Sequence, residues 1–229
     1  MGAIVHNEKQ STLDYLKIDN KAKKAILMFH GYGASMYDLF GLGEAIEGHQ
    51  EYDWFFPNGH IGLEMNMMMS RAWFNIDMVE LEKAMQSGQH RDFSTQYPPE
   101  FEMALDKCNQ FLNSQIESYD EVVLGGFSQG AMVATHLAGR NLERIKRLVC
   151  FSGTLIGQKE LESLVSSEHK LFFFQSHGKQ DLILGYPQAM SLFELLKLDG
   201  HRGEFIGFSG AHEIPMEVIQ KCGKFLARN

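Results

Sequence analysis

The stretch EVVLGGFSQGAMVATHL, residues 121–137, decides the fold. Glu121 to Leu124 leads an apolar, β-branched run into Gly125 and Gly126. Phe127-Ser128-Gln129-Gly130 follows, and a second apolar run extends from Ala131 to Leu137. The first run has no polar alternation, as a strand covered on both faces requires. The second reads as a helix. Strand, tight turn and helix around G-x-S-x-G form the context in which that motif makes a nucleophile elbow. The sharp turn lifts the Ser128 hydroxyl clear of the sheet, and the flanking glycines let neighbouring backbone pass close by. The helix N-terminus behind it offers backbone N–H groups to a developing anion. The bland alternative is a glycine-rich turn without chemistry; the strand before it and the helix after it favour the elbow.

Working outward, the same pattern recurs. AILMFHG (Ala25–Gly31), DWFFPNG, RLVCFSG (Arg147–Gly153), KLFFFQSHG (Lys170–Gly178) and EFIGFSG (Glu204–Gly210) are apolar runs that end in Gly- or Ser-containing turns. Helical patterns lie between them. Phe101, Leu105, Cys108, Leu112 and Ile116 share one face, as do Ala189, Leu192, Phe193 and Leu196 after Pro187. Val218, Ile219, Cys222, Phe225 and Leu226 repeat the pattern after Pro215. Such alternation predicts an α/β fold with a mainly parallel central sheet and helices on both faces. The 229 residues, 44% of them hydrophobic, suit one domain spanning 1–229. In such sheets the reactive loops lie at the carboxyl ends of the strands.

A serine hydroxyl needs a base, and the base an orienting acid. Asp181 follows one strand run in HGKQD, and His212 follows the next in SGAHEIP, which gives the chain order Ser, Asp, His. His177 fits less well because it sits on the same loop as Asp181. Asp199 and His201 fall at the opposite sheet edge, and His136 lies inside a helix. Phe29-His30-Gly31-Tyr32-Gly33 occupies the loop after an early strand, where a second oxyanion donor belongs. The backbone N–H groups of Tyr32 and Gln129 are the candidate donors. His30 is expected to hydrogen-bond its own loop.

Acidic residues exceed basic ones, 29 against 21, for a formal charge of −8, which argues against a general nucleic-acid binder. Gly31–Gly33 lacks the later glycine of a dinucleotide fingerprint, and no GxxxxGK[ST] occurs. Neither HExxH nor a Cys/His zinc spacing is present, so no metal and no cofactor are expected. Cys108, Cys150 and Cys222 are widely spaced and suit packing in a reducing compartment. The first residues lack the pattern of a signal peptide, and no apolar run could span a bilayer. The expectation is a soluble, cytoplasmic protein.

FHGYG (Phe29–Gly33), GGFSQG (Gly125–Gly130), SHGKQD (Ser176–Asp181) and AHEI (Ala211–Ile214), in this order, resemble the carboxylesterase/phospholipase family of α/β-hydrolases. That group includes acyl-protein thioesterases and small carboxylesterases. The resemblance implies an α/β-hydrolase fold, with Ser128 as nucleophile, His212 as base and acid, Asp181 as orienting carboxylate, and Tyr32 and Gln129 as backbone donors. The sequence departs from the family at Ala34, where many members are acidic, and at Ser70-Arg71-Ala72-Trp73. Met65, Met67, Met68 and Met69 lie in the region of the family's mobile lid, here about residues 58–75. They suit either a lid that moulds to an acyl chain or gap-filling in the core. Met67, Met68 and Trp73 are the substrate-binding candidates. The activity expected is hydrolysis of short- to medium-chain carboxylic esters. A lysophospholipase or acyl-protein thioesterase acting on long chains is the alternative, and a catalytically silent lipid- or peptide-binding module a more distant one. The expected partner is a small-molecule or lipid acyl ester; transient membrane-surface contact and a homodimer are left open.

Overall fold

From Glu121 to Leu226 the backbone alternates strictly between strands and helices, whereas before Glu121 strands also follow one another in runs. The computed structural model describes residues 3–6, 12–63 and 70–228. In chain order the elements are β1 (Ala3–His6), β2 (Tyr15–Ile18), β3 (Lys24–Phe29), α1 (Leu42–Ala45), β4 (Tyr52–Pro57), β5 (Ile61–Gly62), β6 (Arg71–Ala72), α2 (Met78–Gln86) and α3 (Pro99–Gln115). They continue as β7 (Glu121–Phe127), α4 (Gln129–Arg140), β8 (Arg147–Phe151), α5 (Gln158–Val165), β9 (Phe172–Gly178), α6 (Tyr186–Leu198), β10 (Arg202–Phe208) and α7 (Met216–Leu226).

Eight strands form one sheet in the order β1-β2-β4-β3-β7-β8-β9-β10. From β4 to β10 all neighbours are parallel. β1 and β2 extend the β4 edge in antiparallel pairing. The expected mainly parallel sheet is therefore present, with an antiparallel margin that the apolar runs did not announce.

Strand side chains alternate between two apolar layers, as the period of two dictates. Leu27, Phe29, Leu124, Leu148 and Phe173 pack with α3, α4 and α6. Ile26, Met28, Val123, Val149 and Phe174 pack with α1 and α7 through Leu42, Val218, Cys222 and Phe225. α4 is buried from Gln129 to Gly139, which accounts for its Ala-rich, apolar sequence. α3 begins at Pro99, whose fixed φ suits a first helical turn. All three cysteines are buried, on α3, β8 and α7. Burial pushes the Cys150 thiol up to about 12 and raises the other two as well.

The chain leaves β3 toward β4 on one side and later returns to β7 on the other. The crevice between the carboxyl ends of β3 and β7 is thus a topological switch point, where open α/β sheets collect their ligands. The loops beginning at His30 and Ser128 both open there.

Candidate active site

Ser128 caps α4 with φ 56° and ψ −119°, a conformation that costs a non-glycine residue about 1–3 kcal/mol. The turn exists because the two glycines flanking it allow close passage of backbone. A Cβ on Gly130 would lie 2.0 Å from the Phe29 carbonyl oxygen, and one on Gly126 would lie 2.4 Å from the Gly130 backbone. The Ser128 N–H donates to Phe151 O at 2.9 Å, which fixes the turn to β8.

His212 lies on the loop after β10, and Asp181 on the loop after β9. The two loops bring their side chains to Ser128. His212 Nε2 is 2.8 Å from Ser128 Oγ, and His212 Nδ1 is 2.6 Å from Asp181 Oδ2. Because a carboxylate only accepts, the hydrogen sits on Nδ1 and the Nε2 lone pair faces the hydroxyl. Asp181 Oδ1 accepts the N–H groups of Ile183 and Leu184 at 2.8 and 3.0 Å. Burial pushes the Asp181 carboxyl up, but hydrogen bonds from His177 and His212 and the Leu184 N–H outweigh it and hold the group well below the usual carboxylate range. Ser152 Oγ donates to Glu213 O at 3.1 Å and so steadies the His212 loop from β8. The Phe127 ring lies 4.8 Å from the imidazole of His212.

Tyr32, Ser128, Gln129 and His212 line one cavity of about 360 Å³. Among the described residues, no other group takes up the backbone N–H of Tyr32 or Gln129. The cavity walls are largely apolar: Ile76, Met78, Leu81, Phe93, Met132, Ile183 and Leu184. A larger cavity of about 610 Å³ lies at the amino ends of β7–β10, beside Arg147, Phe172 and Arg202. It contains none of the groups just described, so cavity size alone would direct attention to the wrong end of the sheet.

The expectation that Trp73 lines the cleft is corrected. Its side chain is fully buried beneath the loop that carries His30. The indole N–H donates to His30 O at 2.8 Å, and the ring packs edge-on against Phe29 at 5.3 Å. A large ring whose one polar atom already has a buried partner is held in the core and does not reach the substrate side. Met67 and Met68 lie outside the described residues, as do residues 64–69 of the expected lid as a whole. The ends of that segment are held, since Ile61–Gly62 pairs antiparallel with Arg71–Ala72.

The cavity-facing Ile76, Met78 and Phe93 had no motif to mark them. The other histidines raised by the sequence, His30, His136, His177 and His201, are held by partners within the fold. His30 Nδ1 lies 2.8 Å from Gly31 O, while Nε2 accepts the Gly59 N–H at 2.9 Å. Burial lowers His30 to about 4, and His136, bonded to Ile156 O, also to about 4. His201 bridges the Leu171 N–H and Val165 O at the far sheet edge. His177 is not on the Asp181 loop. It sits in β9, fully buried, with Nε2 3.3 Å from Asp181 Oδ2. Among the described residues no group of His, Cys, Asp and Glu could hold a metal ion, and no helix is long and apolar enough to cross a membrane.

Comparison with known proteins bears on the family and the fold. Acyl-protein thioesterase 1 of Kluyveromyces lactis is 27% identical over 227 residues, covering 90% of this chain and 92% of that protein. The crystal structure of a carboxylesterase from Mesorhizobium loti superposes with TM-score 0.73 over the whole of both chains at 15% identity. That of Zea mays acyl-protein thioesterase 2 gives 0.69 at 18% identity, covering 98% of this chain and 97% of that one. These two structures share the α/β fold. The family model described as Phospholipase/Carboxylesterase matches residues 16–229, from β2 through α7, and the chain belongs to that family.

Proposed function

We propose that this protein is a serine carboxylesterase that cleaves short- to medium-chain carboxylic esters by two-step acyl transfer to water. The observation that carries the proposal is the unbroken hydrogen-bond chain from Ser128 Oγ through His212 to Asp181, opening on a largely apolar cavity. His212 Nε2 takes the hydroxyl proton as Oγ attacks the carbonyl carbon, and the carbonyl electron pair moves to the oxygen. The N–H groups of Tyr32 and Gln129 receive that oxyanion. When the tetrahedral species collapses, the alcohol leaves with the proton from His212. Water then enters by the same route and releases the acid. Asp181 keeps its charge throughout, holds the imidazole tautomer and stabilises the imidazolium. A cavity of about 360 Å³ is near the lower end of ligand pockets, roughly 300–1,000 Å³, which supports acyl groups of modest length.

A second reading is hydrolysis of long-chain thioesters or lysophospholipids. It draws on the curated relatives named as acyl-protein thioesterases and on the apolar walls around Met78, Leu81 and Phe93.

Ser128→Ala assayed on a short p-nitrophenyl ester tests the core of the proposal. Near-complete loss of turnover is expected, and retention of most activity overturns it. A fluorophosphonate probe should label Ser128; no adduct would point to a silent binding module. Esters and thioesters of graded acyl length separate the two readings: a steep preference for the shortest chains removes the long-chain one.

A further inference from the structure

His177 lies outside the chain of three just described, yet it meets the same oxygen that His212 uses. Its Nε2 lies 2.8 Å from Leu184 O and 3.3 Å from Asp181 Oδ2. Both neighbours can only accept, so the Nε2 hydrogen is required and is shared between them. Nδ1 is buried and has no partner among the described residues. The side chain is fully buried, as is that of Asp181.

Asp181 is therefore surrounded by donors. Oδ1 takes two backbone N–H groups, and Oδ2 takes one imidazole N–H from each side, at 2.6 Å from His212 and 3.3 Å from His177. The short turn between β9 and Asp181 is also closed by the Asp181 N–H on Gly178 O and by His90 Nε2 on Asp181 O at 2.7 Å. Nothing in this arrangement makes His177 a second base, because its ring reaches neither Ser128 nor the cavity.

We infer that His177 is a positioning residue that fixes the Asp181 carboxylate and, by donating to Oδ2, limits how strongly Asp181 supports a charged His212. The inference rests on the proposed roles of Ser128, His212 and Asp181. Its physical basis is competition for one oxygen. Charge density drawn toward His177 is withdrawn from His212, so the His177 contact favours the unprotonated imidazole that must accept the serine proton. The other ionisable groups around the site are Asp38 across the cavity, Glu213 next to His212, His90 on the Asp181 carbonyl, and Tyr186, whose ring meets His177 edge-on at 6.2 Å. None of them donates to Asp181 Oδ2.

The test compares His177→Phe, which keeps a ring and deletes the donor, with His177→Gln, which restores an N–H near the position of Nε2. In the Phe variant kcat should fall roughly 10- to 100-fold with little change in KM, the range seen when a buried partner behind a metal-bound histidine is lost. The acid limb of the kcat/KM profile should move to higher pH. The Gln variant should return the limb toward its original place. The downfield N–H resonance of His212 supplies a readout independent of any ester: its titration should shift upward in His177→Phe and recover in His177→Gln. If no ester is turned over but the resonance responds in this way, the esterase assignment fails and the positioning role stands. An unmoved titration in folded His177→Phe, or equal limbs in both variants, overturns the inference. If His177→Phe does not fold, a His177→Gln limb and resonance matching the wild type support the role, and a displaced pair contradicts it.

Discussion

The side-chain amide of Gln129 ties the nucleophile turn to Trp73, accepting the backbone N–H of Trp73 at 2.9 Å. The same amide donates to Phe74 O at 2.7 Å, all in the buried interior. Gln129→Leu leaves a donor and an acceptor unsatisfied there, at about 1–3 kcal/mol each. The urea midpoint should fall accordingly. The turn that presents the Gln129 N–H also loses its brace, so kcat should drop more than KM rises. A variant with wild-type stability would show that water replaces the amide.

Trp73→Phe separates a core role from a substrate-facing one. It removes the indole hydrogen bond to His30 O and part of the packing on Phe29. A loss of about 1–3 kcal/mol is expected, measured by thermal or urea unfolding. The ranking of esters by chain length should stay as in the wild type; a changed ranking would place Trp73 at the substrate after all.

Asp181→Asn keeps the shape of the carboxylate but no longer enforces the tautomer that frees Nε2. By analogy with the serine protease triad, kcat should fall by about 10⁴. Single-turnover measurements on an activated ester check this. A loss below tenfold would count against the proposed role of Asp181.

Acid should weaken the fold through buried histidines outside the Ser128–His212–Asp181 chain. Burial holds His30 and His136 at about 4, against 6.5 for an unburied imidazole. As pH falls from about 6.5 to 4, the unfolded chain takes up these protons first. The stabilisation is therefore fully present above about 6.5 and declines through that window, by up to about 3 kcal/mol for each residue. The pH dependence of the urea midpoint should flatten in His136→Gln. An unchanged slope would exclude His136 as a contributor. Asp181, held low, loses its own contribution only at still lower pH.

Two glycines give a steric contrast. Gly130→Ala pushes a Cβ to 2.0 Å from Phe29 O, against backbone that cannot retreat, so soluble expression or activity should be lost. Gly41→Ala has nothing within 4 Å and sits at φ −62°, so it should be neutral or stabilise by about 0.4–1 kcal/mol. Differential scanning fluorimetry distinguishes them.

The parallel strands were legible because a strand buried on both faces leaves an unbroken apolar run, and β3, β7, β8 and β9 all carry one. β2 was not, since Tyr15-Leu16-Lys17-Ile18 is short and interrupted by a charge that lies beside Asp53 at 3.1 Å. The order of Ser128, Asp181 and His212 was legible because each follows a strand and strand ends converge. The nearness of His177 to Asp181 in sequence suggests a shared loop, whereas His177 belongs to β9. Its burial and its 3.3 Å contact with Asp181 Oδ2 place the ring inward, against the carboxylate. Trp73 misled for a related reason: nothing local distinguishes an indole under a loop from one beside a cleft until its N–H acceptor, forty-odd residues away, is known.

The short pairing of Ile61–Gly62 with Arg71–Ala72 is continued by the Leu63 N–H on Ser70 O. Arg71 in turn exchanges bonds with the neighbours of Tyr32, donating to Ala34 O at 2.8 Å and accepting the Gly33 N–H at 2.9 Å. The stem of this excursion is thus anchored to the body of the molecule whatever lies between its ends. Doubling the length of a tethered loop costs only about 0.6 kcal/mol of closure entropy. Residues beyond the stem can consequently be lengthened or shortened by design at little cost while the bonds that hold Gly33 and Ala34, beside Tyr32, stay in place.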